Sequence, residues 1–159
     1  MPPEWFDRVK HDPQLMAELD QAVRAVDAEE GSILLLTGGG QALRFVLSVS
    51  PMAEKLIGTQ QPVTRGVVGL VASFQQPTIN NHTVDDPQHD PSIDQRVGSQ
   101  TRSQMAVPLS DAQHEFGVVT AINSRRDGGF ADADLRQYLK AARAITSRLA
   151  ELSGGMAHA

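Results

Sequence analysis

Nine consecutive residues, His82-Thr83-Val84-Asp85-Asp86-Pro87-Gln88-His89-Asp90, hold two imidazoles and three carboxylates. Such a set could ligate zinc or iron, which accept nitrogen and oxygen donors of this kind. The spacing contains no His-Glu-x-x-His or comparable pair. Asp-Pro also serves local turns, because Asp caps nearby N–H groups, so no metal is assigned. Ser103, His82 and Asp94 supply the residue types of a hydrolase triad, but no Gly-x-Ser-x-Gly elbow accompanies them. Gly38-Gly39-Gly40 could approach a phosphate. The Lys-Ser/Thr of a P-loop is missing and no helix pattern follows, so a hairpin turn accounts for it. Arg125-Arg126 beside Asp127 suits a solvated turn more simply than a phosphate grip, and His114 and His158 read as exposed. No catalytic residue is assigned, and an enzyme is not expected.

These residues must be positioned by one domain of ordinary size. The chain has 159 residues, 40% hydrophobic and 21% charged, which is the composition of a globular protein with a proper core. No apolar run approaches the roughly 18 residues of a membrane span. The N-terminus shows no basic-then-apolar signal pattern, so a cytoplasmic location is expected. A net charge of -5 argues against a nucleic-acid partner, which would call for a basic face. With no cysteine, disulfides, thiolate metal sites and cysteine nucleophiles are excluded.

In chain order, residues 1–11 read as an irregular arm, 12–153 as a single domain and 154–159 as a flexible tail. Asp12-Pro13 opens a helix over 12–28 whose apolar stripe runs through Leu15, Leu19 and Val23, with Gly31 as its stop. Residues 32–37 and 43–49 read as a hairpin about the three glycines. A short helical piece falls in 52–57, a helix over 66–74 ended by Pro77, and a short strand at 78–81. Residues 105–109 and 116–123 form a second hairpin, with Pro108 marking an edge or a bulge. Asp132 caps a last helix in which Leu135, Tyr138, Ala142, Ile145, Leu149 and Leu152 recur at alternating steps of three and four, a spacing near that of a coiled-coil seam. The fold class is α+β. An antiparallel sheet of five or six strands carries the N- and C-terminal helices on one face and a lid, 82–102, on the other.

The ordered motifs along residues 31–152 resemble a GAF domain, the small-molecule sensor module of phosphodiesterases, phytochromes, histidine kinases and bacterial transcription activators. Gly66-Val67-Val68-Gly69 is similar to the family's Gly-x-x-Gly at the pocket helix, and Thr78-Ile79-Asn80-Asn81 to its short strand. Asp94 through Thr101-Arg102-Ser103 resembles Val-Asp-x-x-Thr-Gly-x-x-Thr-Arg-Ser, followed by Val107-Pro108-Leu109 and Gly117 through Asn123. Asn123, Phe130 and Asp134 fall in place on the signature of cyclic-nucleotide-binding members, Asn-Lys, spacer, Phe-x-x-x-Asp-Glu; Ser124 and Leu135 replace the Lys and the Glu. Arg125 stands one position from the missing charge.

The resemblance implies a sensory module that binds a small molecule between sheet and lid and signals through its terminal helices as a homodimer, acting on a signalling partner in trans or as part of a longer chain. The alternatives are a structural dimerisation module with a vestigial pocket, and cyclic-nucleotide binding. Val97 weakens the last, since it can neither donate to nor accept from a purine edge where nucleotide binders carry a Thr. Missing cysteines remove the sulfoxide-reductase and thioether-bilin options. Haem through His82 or His89 is a minor option, and no cofactor is assigned. The expected ligand-binding residues are Phe45, Val67, Val68, Asn80, Asp94, Val97, Thr101 and Thr120. Leu47 joins Phe45 in the wall unless that strand faces the other way, in which case Arg44, Val46 and Ser48 replace them. Leu149→Glu is expected to give a folded monomer.

Overall fold

The structure is a computed structural model that describes residues 3–83 and 101–154. Six strands form one antiparallel sheet: β1 (Ala28–Thr37), β2 (Ala42–Val49), β3 (Gln60–Pro62), β4 (Thr78–Asn80), β5 (Gln104–Ser110) and β6 (Glu115–Ser124). Their order is β3-β2-β1-β6-β5-β4. Helices α1 (Pro3–Lys10), α2 (Pro13–Ala25) and α5 (Asp132–Gly154) pack on one face; α3 (Ala53–Leu56) and α4 (Gly66–Phe74) pack on the other. This is the expected α+β architecture with both terminal helices on a shared face. The strand β3 escaped the sequence reading because three residues, Gln60–Pro62, show no period.

Three local expectations are corrected. Residues 1–11 are not an irregular arm: α1 buries Trp5, Phe6 and Val9 on one side. Eight residues are too few for a stable isolated helix, so its order comes from this burial and not from propensity. Gly31 does not stop α2, which ends at Ala25 with Asp27 in the left-handed region (φ 54°). Gly31 instead sits inside β1, opposite Val49 and Ala121. A Cβ there would lie 2.5 Å from Val23 Cγ2 and 2.9 Å from Tyr138 Oη, so the glycine lets α2 and α5 close onto the sheet. At the start of α5 the capping carboxylate is Asp134, not Asp132: Asp134 Oδ2 accepts from the Ala131 N–H at 2.8 Å.

The start of α2 is as the sequence indicates. Asp12 Oδ2 accepts from the Leu15 N–H at 2.9 Å, and Pro13 lies in the first turn. The same carboxylate receives Arg148 Nη2 of α5 at 2.7 Å, which ties the two terminal helices together. The α5 stripe is consumed within the chain. Tyr138, Ala142, Ile145 and Leu149 are buried in one apolar cluster with Trp5, Leu15, Leu19, Val23 and the inner residues of β1, β5 and β6. Leu149 is 0% exposed, so its coiled-coil-like spacing is filled by α1, α2 and the sheet, and a glutamate there would be buried.

Pro108 lies in β5 where its missing N–H does least harm. β4 pairs only as far as Ala106, so Pro108 stands beyond the end of β4 and keeps its register with Val118 of β6.

Candidate ligand cavity

Alternation along the four central strands places one set of residues on the face away from the terminal helices: Glu30, Ser32 and Leu34 in β1, Val118, Thr120 and Ile122 in β6, and Gln104 and Ala106 in β5. In β2 the alternation is interrupted by a bulge, where Ile33 pairs with Leu47 but Leu34 with Phe45. Phe45 therefore joins the α4 side while Val46 and Leu47 both turn to the terminal helices, and Ser48 returns to the α4 side against Ser32. The two alternatives drawn for this strand each hold in part, because an extra residue resets the period between them.

Between this face and α4 lies a cavity of about 70 Å³. Phe45, Leu56, Val67, Val68 and Ile122 give it apolar walls, and Glu30, Ser32, Gln61, Gln104 and Thr120 give it polar ones. Of the sequence-expected site residues, Phe45, Val67, Val68 and Thr120 line it. Asn80 lies on the edge strand beside Gln104, on the same face but outside the lining, and its Oδ1 accepts from the His82 N–H at 3.0 Å. Thr101 is buried, but its carbonyl accepts from the Thr83 hydroxyl and it does not line the cavity. Asp94 and Val97 lie outside the described residues, as do Asp85, Asp86, His89 and Asp90 of the histidine-aspartate stretch. Arg44 turns away, its guanidinium 5.1 Å from the Phe6 ring.

Glu30, Ser32 and Gln104 are not among the residues expected from the sequence. Ser32 lies in the strand read over 32–37, but that run reads as buried on both faces and so assigns no face to Ser32. Reading Gly31 as a helix stop hid the first residues of β1, Glu30 among them, and Gln104 falls one residue before the run read as strand. Alternation carried backward from Leu34 puts Ser32 and Glu30 on its face, and carried backward from Ala106 it puts Gln104 there.

The polar walls differ in how they are satisfied. Ser32 donates its hydroxyl to Ser48 Oγ at 3.0 Å, and its N–H reaches Thr120 Oγ1 at 3.2 Å. Glu30 Oε2 accepts from Ser50 Oγ at 2.7 Å. Gln61 donates to the Arg65 carbonyl at 3.1 Å. Gln104 is 8% exposed, and its side-chain amide makes no hydrogen bond among the described residues. Burial of that kind is uncommon, since about nine in ten buried polar groups find a partner. At the mouth of α4, Arg65 adopts extended backbone and gives no side-chain cap, so the first-turn N–H groups stand at the wall through Gly66, Val67 and Val68.

Thr120 connects the two faces. Its side chain lines the cavity, while its carbonyl accepts from the Tyr138 hydroxyl at 2.6 Å on the helix side. Burial pushes the Tyr138 hydroxyl far above its usual range, so it stays a neutral donor at any ordinary pH.

A second, open depression of about 540 Å³ lies at the end of the sheet around Arg102, Arg125 and Arg126. Its arginines face carboxylates. Arg102 Nη2 is 2.5 Å from Glu29, Arg126 Nη2 is 2.8 Å from Asp134, and Arg125 Nε is 3.9 Å from Asp27. Arg126 also donates to the Val26 carbonyl at 2.9 Å. The charge that ties the sheet to the last helix is therefore Arg126, one residue beyond the Arg125 considered from sequence. Asn123, in the left-handed region at φ 60°, accepts from the Arg102 and Ser103 N–H groups at 2.6 and 3.2 Å. Asn81 brackets the Phe130 backbone, donating to its carbonyl at 3.0 Å and accepting from its N–H at 2.9 Å. The signature residues Asn123, Phe130 and Asp134 thus form a structural latch beside the cavity and not part of its wall.

Comparison with known proteins places this architecture. A family model of the GAF domain matches residues 16–150, and the chain belongs to that family. The family is in general sensory or regulatory. Among solved structures the chain is similar to the GAF domain of an Acinetobacter phosphoenolpyruvate-protein phosphotransferase, at 16% identity and a TM-score of 0.73, covering 95% of this chain and 91% of that one. The second GAF domain of DevS from Mycobacterium smegmatis matches at 14% identity and a TM-score of 0.72, covering 90% and 96%. A free methionine-R-sulfoxide reductase from Neisseria meningitidis, an enzyme, matches at 20% identity and a TM-score of 0.67, covering 96% and 87%. Identities this low carry the fold alone. Among the described residues no helix is long and apolar enough to cross a membrane, and no group of three or more His, Asp or Glu is placed to hold a metal ion.

Proposed function

We propose that this chain is a sensory module, not an enzyme, which binds a small molecule in the cavity between the sheet and α4 and passes occupancy to its terminal helices. The observation that carries this reading is Thr120, whose side chain lines the cavity while its carbonyl holds the Tyr138 hydroxyl of α5. A ligand that moves β6 at Thr120 changes the geometry of a buried hydrogen bond to the longest helix. That helix is in turn joined to α2 by the Asp12–Arg148 pair. The described lining holds Glu30 and no basic side chain, which speaks against the cyclic phosphate of a nucleotide. A homodimer through the terminal helices would use their outward faces, where Met16 is exposed, because the Leu149 stripe is already filled. Light scattering at tens of micromolar reads that state. A cytoplasmic location completes the proposal.

The test is a thermal-shift and native-mass screen of small metabolites on wild type and on Val68→Trp, which fills the cavity. Binding is expected to wild type and lost in Val68→Trp. Tyr138→Phe should still bind but lose the ligand-induced change in hydrogen exchange along α5. Binding untouched by Val68→Trp would place the site elsewhere, and binding to neither protein would favour a structural module with an unused cavity.

A further inference from the structure

We infer that the cavity is built for a small uncharged molecule with a hydrogen-bond donor and acceptor side by side, an amide, lactam or nucleobase edge, and that Gln104 is the residue that reads it. This rests on the cavity being a binding site, and it adds the chemical class of the occupant.

Three observations converge. Gln104 is 8% exposed, lines the cavity, and makes no side-chain hydrogen bond among the described residues. A primary amide carries an acceptor and donors in one plane, so a single edge of matching pattern satisfies both ends at once. The N-terminus of the nine-residue α4 reaches the same cavity without a side-chain cap and offers backbone N–H groups to an additional oxygen. Glu30 stands in the wall as well, its carboxylate held by Ser50 at 2.7 Å.

The charges of the described lining set the sign of the ligand. An anion drawn to the α4 terminus would meet Glu30, and a cation drawn to Glu30 would meet the positive end of α4. Neither gains on balance; a neutral dipole can use both. Phe45, Val67, Val68 and Ile122 then cover its apolar remainder, with the Phe45 ring able to pack on a planar group.

The experiment uses matched pairs that differ by charge, nicotinamide against nicotinate and uracil against orotate, by saturation-transfer NMR on wild type and Gln104→Met. Methionine keeps the volume and removes both polar atoms. The neutral member of at least one pair should bind wild type about tenfold more tightly than its carboxylate, and Gln104→Met should remove that preference. Ligand-free Gln104→Met should melt at the wild-type temperature or a few degrees above it, because a buried amide without a partner is destabilising. Three results would overturn the inference: carboxylates binding as well as their neutral partners, no binding of either pair at millimolar concentration, or a clear drop in melting temperature of ligand-free Gln104→Met. If a different metabolite still bound wild type and not Val68→Trp, the sensory reading would stand while this ligand class fell.

Discussion

The two faces of the sheet are built on opposite terms. Toward the terminal helices, Ile33, Leu35, Met105, Val107, Val119 and Ala121 meet α1, α2 and α5 in one apolar cluster. The Tyr138 hydroxyl within it is satisfied at 2.6 Å by the Thr120 carbonyl. Toward α4 the same strands present Glu30, Ser32, Gln104 and Thr120 between apolar residues, and the Gln104 amide has no partner among the described residues. The second face has its own apolar cluster and also keeps a cavity lined in part by polar groups. That division suits the proposed binding role, and it makes substitutions on the two faces differ in sign as well as in size.

Leu149→Glu should break the comparison hardest. It places a charge at a fully buried position of the helix face, and the domain should lose about 4 kcal/mol or more and unfold near room temperature. Far-UV circular dichroism and urea titration would show this; a folded monomer would mean that the stripe serves a second protomer after all. Asn123→Ala comes next, at about 2–3 kcal/mol in urea titration. It leaves the Arg102 and Ser103 N–H groups unpaired and puts alanine at φ 60°. Asn123→Gly should differ from it by a smaller loss, since glycine relieves only the backbone term.

Asp12→Ala should cost about 2 kcal/mol, by removing the α2 cap and the partner of Arg148. The same pair gives an acid dependence. The Arg148 guanidinium, with help from the Leu15 N–H, holds the Asp12 carboxyl below its ordinary value of 3.8 although burial opposes this. Its contribution is therefore complete above about pH 4 and fades as pH falls through the lower folded value. The difference in melting temperature between wild type and Asp12→Ala should shrink on acidification below that point. A gap constant from pH 7 down to pH 2 would show that the pair is not the source. Tyr138→Phe should have the smallest effect, about 1 kcal/mol, with the hydrogen bond to the Thr120 carbonyl lost. An unchanged melting temperature would remove the link between the faces.

The sequence by itself determined the elements with a clear period or a clear cap. Asp12-Pro13 opens α2, the glycine triplet turns the first hairpin, residues 66–74 are α4, and the two hairpins pair as expected. The ordered motifs also gave the family, and with it the placing of both terminal helices on a shared face. Of the cavity lining, Val67, Val68 and Thr120 are legible from the helical and period-two patterns, and Phe45 is one of the two alternatives that the second strand leaves open. What only the tertiary structure decided depends on contacts between distant residues. The bulge that splits Phe45 from Leu47 appears when β1 and β2 are paired and not in either strand alone. Eight residues at the N-terminus become helix because Trp5, Phe6 and Val9 find a core built by the other end of the chain. The α5 seam looks fit for a partner until α1, α2 and the sheet cover it. Gln104 is an ordinary polar residue in sequence, and only the fold buries it at a cavity wall with its amide unmet among the described residues, because burial and hydrogen-bond satisfaction are properties of assembled neighbours.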